Sequence, residues 1–97
     1  MPEITVTDVP ARHRYEATAG EDLLGVAVYE RDTGVLVLTH TVVEPSAEGQ
    51  GVGSALASAA VEAARAQGLR VVPDCSFMAA WIDEHPEYAD LVDERTD

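Results

Sequence analysis

Basic side chains are scarce: 6 Lys and Arg stand against 18 Asp and Glu, a formal charge of -12 on 97 residues. Such a charge repels phosphate backbones and anionic lipid, which argues against nucleic acid and membranes as partners. The acidity serves either solubility or the attraction of a cationic substrate. Cysteine is nearly missing as well. The single Cys75 has no partner for an internal disulfide, and MPEITVTD carries neither the basic nor the apolar stretch of a secretory signal, so a cytoplasmic, reducing compartment is expected. No apolar run approaches the roughly 20 residues that cross a bilayer. Internal repeats and low-complexity linkers are absent, and residues 1–97 are expected to form one domain with one modest core. The acidic tail DLVDERTD is expected to be solvated or frayed.

What is present divides near Pro45. Before it, ITVTDV, HRYEATA, LLGVAVYE and VLVLTHTVV are rich in β-branched or aromatic residues and are bounded by turn formers, so four strands are predicted. Short connections such as AGED and DTG make them antiparallel neighbours in a meander, with VLVLTHTVV, the most apolar, expected at the centre. After Pro45, SALASAAVEAARAQ has high helix propensity, and Val52, Leu56 and Val61 can share one buried stripe. Gly68 supplies a stop. LRVVP reads as a short strand, and strand, glycine-rich turn, helix, strand is a βαβ unit whose two strands lie parallel. DCSFMAAWIDEH predicts a short helix capped by Asp74 or Ser76, and PEYADLVDE a last one opened by Pro86.

Within EGQGVGS, residues 48 to 54, glycines fall at 49, 51 and 53 immediately before the helix. Alternate glycines let main chain approach a ligand and aim several N–H groups outward at a helix start, which is an anion site suited to phosphate. A P-loop is excluded, because Ser54 and Ala55 follow Gly53 with no lysine nearby. The dinucleotide fingerprint fits Gly49 and Gly51, and Asp74 stands near the place of its acid. Ser54, however, replaces its third glycine, and the chain is too short for a doubly wound sheet. A tight turn with no ligand is the remaining alternative.

The segment VVEPSAEGQGVGSALASAAVEAA resembles motif A of the GNAT superfamily of N-acetyltransferases, with Glu48, Gly51 and Gly53 at its three signature positions. GLRVVPDCSFMAAWIDEHPEYADLV is similar to a subgroup of very small members that keep the acetyl-CoA-binding core and a short meander. The resemblance implies an α+β, GNAT-like fold: an antiparallel meander joined to a βαβ unit, giving a mixed sheet with helices packed on it. It implies acetyl-CoA as cosubstrate and no metal. The N–H groups of Gly49, Gln50, Gly51, Val52, Gly53 and Ser54 would hold the pyrophosphate, with Glu48 also at the cofactor, and the main chain of Val42 and Val43 would pair with the pantetheine amides. Glu48 departs from the basic or amide residue usual there, and an acid a few ångströms from a pyrophosphate costs on the order of 1 kcal/mol.

Acyl transfer from a thioester needs a neutral amine, a polarised carbonyl and a tolerated thiolate. The resemblance to the small subgroup implies Cys75 as an acyl-accepting nucleophile, the alternative being a small buried hydrophobe; helix N–H groups ahead of it would lower its pKa, whereas Asp74 beside it would push the pKa upward. His40 is expected on the strand face that carries Leu38 and Val42, where it would act as a base toward the amine or Cys75, or serve structure alone. Tyr88 is better suited to packing than to protonating a thiolate. Trp81, Phe77 and Met78 are expected to cover the sheet, and His13 and His85 have no functional context. With no His pair at helical spacing, no metal site is expected. The implied function is N-acetyl transfer from acetyl-CoA to an amine acceptor, with a cation favoured by the net acidity, in a monomer or weak homodimer. The alternative is a non-catalytic module that binds CoA, acyl-CoA or a protein.

Overall fold

A computed structural model describes residues 3–93; the last four residues of the acidic tail lie outside that range. Four antiparallel strands run in chain order, β1 (Thr5–Val9), β2 (Arg14–Ala19), β3 (Asp22–Asp32) and β4 (Val35–Val43), and β5 (Arg70–Pro73) joins β4 in parallel. Between β4 and β5 lies the helix α1 (Val52–Gln67), and after β5 come α2 (Ser76–Asp83) and a 3-10 helix over Pro86–Leu91. The meander and the βαβ unit are therefore both present. The central strand is β3, whereas β4 lies between β3 and β5. Its apolar run reflects burial at Val35, Leu36 and Leu38, where it has a neighbour on each side, and not the middle of the sheet.

One core joins the sheet to its helices. Val52, Leu56, Ala60, Val61 and Ala64 of α1 are buried against Tyr15, Ala17, Ala27, Tyr29, Leu36 and Val71. The small alanines let the helix lie close to the sheet, and Leu56 and Val61 fill the space between them. Met78, Trp81 and Ile82 of α2 close the same cluster. Gly68 ends α1 in the left-handed region (φ 69°), its N–H bonded to the carbonyls of Ala64 and Arg65, as its sequence position predicts. Neither Asp74 nor Ser76 caps α2; Cys75 occupies the N-cap position.

Two irregularities decide where functional groups point. The β3–β4 register shifts so that Val28 faces His40 while Tyr29 faces Leu38, leaving Thr39 as an extra residue in β4. A bulge of one residue reverses alternation beyond it. Leu38 thus faces the helices, and His40 is exposed on the opposite sheet face with Val42, which corrects the expectation that the three share a face. The second is Gly25 in β3: a Cβ there would lie 2.7 Å from the Val42 carbonyl oxygen and 3.0 Å from Val52 Cγ1. Main chain cannot yield as a flexible side chain can. Gly25→Ala should lower unfolding free energy by about 1–3 kcal/mol, read from the urea midpoint, whereas Gly34→Ser, where a Cβ meets nothing within 4 Å, should pay only the positive-φ penalty.

Candidate functional site

The main chain of Gly49 and Gly51 turns through the left-handed region, each with φ of 83° and with open space where a Cβ would be. Gly51 is the N-cap of α1, and no side chain caps that end. Among the described residues, Gln50 N–H bonds Ala47 O and Ala55 N–H bonds Gly51 O, while the N–H groups of Gly49, Gly51, Val52, Gly53 and Ser54 reach no main-chain carbonyl outside the helix. Helix starts leave such donors unpaired, and here they converge on one turn. The turn forms one wall of an open cavity of about 410 Å3. Its other walls are Val43, Phe77, Trp81, Glu84 and His85, with Glu48 at the turn. Gln50 is exposed and donates from Nε2 to the Ser46 carbonyl (3.4 Å), away from that cavity lining.

Gly53 is held to glycine by a neighbour: a Cβ there would come within 2.7 Å of the Phe77 ring. Phe77 is 41% exposed, which is unusual for an aromatic ring placed over a glycine turn. Ser54 Oγ accepts from Trp81 Nε1 at 2.9 Å, fastening α1 to α2. Trp81 in turn stacks on His85, with ring centroids 3.8 Å apart, and on Tyr88 at 5.6 Å. Tyr88 donates its hydroxyl to Glu62, which raises its pKa, and Arg65 lies over its ring. Tyr88 thus packs among Trp81, Glu62 and Arg65.

Beside this cavity the sheet opens. Parallel pairing ends at Leu38 with Pro73, and Cys75 N–H closes the seam on Leu38 O at 2.9 Å. Thr39 to Val43 continue without β5. Because Glu44 N–H bonds Leu24 O, antiparallel alternation turns the main chain of Val42 toward β3 and that of Thr41 and Val43 into the fork. Of the two residues the resemblance named, Val43 faces the opening and Val42 does not; Thr41, which sequence reasoning missed, takes its place. The bulge at Thr39 causes the exchange, and the sequence carries no signal for it.

Cys75 is half-buried, its Sγ 3.4 Å from Thr41 Oγ1. Burial alone would push the thiol up, but hydrogen bonding from Thr41 and from the main chain of Met78 and Phe77 at the start of α2 outweighs it, and the pKa falls below the ordinary cysteine value. Of the two opposed effects expected from the sequence, lowering at the helix start prevails over an upward push from Asp74. His40 does not join this pair: its Nδ1 lies 3.2 Å from Thr39 Oγ1 on the exposed face. Among the described residues no group of three or more His, Cys, Asp and Glu is placed to hold a metal ion, and no helix is long and apolar enough to cross a membrane.

The glycine turn, the fork and the residues around them fall within residues 14–91, which match the GCN5-related N-acetyl-transferase family. The chain belongs to this family. Its fold is also that of a GCN5-like N-acetyltransferase candidate from Staphylococcus aureus, with a TM-score of 0.74 and 26% sequence identity over 99% of this chain and 94% of the other. No curated protein matches the chain. In this GNAT domain the thiol can be tested directly. The pH midpoint of iodoacetamide alkylation of Cys75 should lie below that of a free cysteine peptide, and Thr41→Val should move it upward. A midpoint unchanged by Thr41→Val would mean that the hydroxyl does not stabilise the thiolate.

Proposed function

We propose that the protein transfers an acetyl or short acyl group from acetyl-CoA to an amine. The observation that carries this reading is the set of unpaired N–H groups of Gly49, Gly51, Val52, Gly53 and Ser54, opening on a cavity next to a fork that exposes main chain of Thr41 and Val43. Donors at a helix start suit a pyrophosphate, and the exposed strand edge suits an arm of repeated amides. The residues present fit the cosubstrate in shape: both left-handed glycines leave the approach clear. Acetyl-CoA, when bound, supplies an activated thioester and a thiol that departs. Everything else falls to the chain.

In this reading the turn fixes the phosphates, Val43 and Thr41 align the arm, and Phe77 and Trp81 shield it from water. Two chemical routes remain open to these residues. In one, the lowered Cys75 thiol is the nucleophile, with Thr41 stabilising its thiolate. In the other the amine attacks directly, and Cys75 and Thr41 only shape the fork. His40 serves both routes as a base on the open sheet face, where an ammonium arriving from solvent would be met. Its position across the sheet from Thr41 separates the base that prepares the amine from the thiol that would accept the acyl group.

A second reading, a CoA- or acyl-CoA-binding module without turnover, is favoured by one specific observation: the acids Glu48 and Glu84 line the cavity. An acid beside the pyrophosphate weakens binding and does not by itself abolish it, since main-chain N–H groups do most of the holding. The acceptor's chemistry is favoured to be cationic by the net charge of -12. Primary amines such as a protein lysine, a polyamine or a small metabolite all satisfy that.

Isothermal titration with acetyl-CoA tests the cosubstrate, and the absence of binding at millimolar concentration would remove both readings. Glu48→Gln should tighten binding by about fivefold, the equivalent of one weakly screened charge contact. Free-thiol release with a panel of amines then separates transfer from binding. Cys75→Ala and His40→Ala should each slow release; turnover indifferent to both would overturn the assigned roles.

A further inference from the structure

The cavity beside the glycine turn lacks a permanent cation. The chain has no lysine. Every arginine among the described residues is engaged elsewhere: Arg12 and Arg14 with Glu16, Arg31 with Gln67, Arg65 with Glu87 O and Asp90, and Arg70 with Val92 O. The charged or titratable side chains that line the cavity are Glu48, Glu84 and His85. A ligand with several phosphate charges would meet two carboxylates and one imidazole.

His85 is built into this wall. Its ring lies on the Trp81 indole at 3.8 Å with planes 15° apart. Its Nδ1 is 2.7 Å from the Trp81 carbonyl oxygen, and since a carbonyl only accepts, Nδ1 carries the hydrogen. The main-chain N–H of His85 bonds Ile82 O, and its carbonyl accepts from Tyr88 N–H, so backbone and ring are both fixed. Nε2 has no hydrogen-bond partner among the described residues and is the nitrogen left to take a proton. The ionisable groups on the surrounding elements are Glu48 of the turn, Glu62 and Arg65 of α1, Cys75 before α2, Asp83 in it, Glu84 after it, and Glu87, Tyr88 and Asp90 of the last helix. Glu62 is held by Tyr88, Arg65 by Glu87 O and Asp90, and Cys75 by Thr41.

We infer that this cleft takes up its polyanionic ligand together with a proton on His85, which becomes the one positive side chain in the lining. The inference rests on the proposed use of CoA and adds how the site meets its charge. Near neutral pH an imidazole accepts that proton more readily than a carboxylate does. Protonation at Nε2 leaves the Nδ1 bond and the Trp81 stack intact, and adds the indole face beneath the imidazolium as a further source of attraction.

The sign follows from linkage. A group that binds a proton more tightly in the complex makes affinity rise as pH falls, by up to tenfold per pH unit for one proton. Calorimetric titration of CoA into the whole chain at pH 6, 7 and 8, each in two buffers of different ionisation enthalpy, reads both affinity and proton uptake. The 3′-phosphate of CoA also titrates in this range, so the comparison is with His85→Gln and with His85→Phe, which retains a ring on Trp81. Wild type should take up more protons than either variant at pH 7, and its affinity should fall more steeply toward pH 8. Parallel profiles for wild type and both variants, with CoA still bound, would overturn the inference alone. No binding at any pH would overturn it together with the cosubstrate reading.

Discussion

Parallel pairing between β4 and β5 ends at Leu38 and Pro73, while β4 continues to Val43. That unequal length opens the sheet on one side, and the rest of the site is arranged around the opening. The seam closes through Cys75 N–H on Leu38 O, so the cysteine sits at the fork because the main-chain bond puts it there. The start of α2 then lies over its thiol, and the Thr41 hydroxyl reaches it from the diverging strand. Had β5 continued alongside β4, its hydrogen bonds would have consumed the exposed strand edge.

The bulge at Thr39 does complementary work. Without it, alternation from Leu38 would turn His40 toward the helices, where an imidazole would need a partner in an apolar core. With it, Thr41 and Val43 face inward and His40 outward. Gly25 supports the arrangement from β3, because its missing Cβ leaves room for the Val42 carbonyl and for Val52, the first residue of α1. The glycine turn is thereby seated directly next to the fork.

Charge is the site's unusual feature. The cavity carries acids at Glu48 and Glu84 and no Lys or Arg in its lining, so the proposed phosphate binding would rely on main-chain dipoles. Such dipoles are oriented in advance and need no ion pair, at the expense of long-range attraction. Trp81 links the parts by holding Ser54 of α1, stacking on His85 and Tyr88, and accepting His85 Nδ1–H on its carbonyl.

Local sequence was enough for the elements and their order. Alternation marked the four meander strands, the stripe of Val52, Leu56 and Val61 marked the helix, and Gly49, Gly51 and Gly53 marked the turn, because each depends on neighbours within a few residues. The contribution of Glu48, an acid where the family pattern has none, was also legible. Tertiary structure alone decided which groups meet. The one-residue bulge reversed the faces of His40 and Thr41, a displacement that composition does not encode and that only pairing with β3 reveals. Hydrogen bonds at the fork decided between the two directions the sequence allowed for the Cys75 pKa, since Asp74 is adjacent in sequence but Thr41, 34 positions away, is the side chain at the sulfur. His85 had no motif to mark it, because its own contacts with Trp81, Ile82 and Tyr88 are local but the cavity it lines is completed by the turn and by Val43, which only folding brings to it.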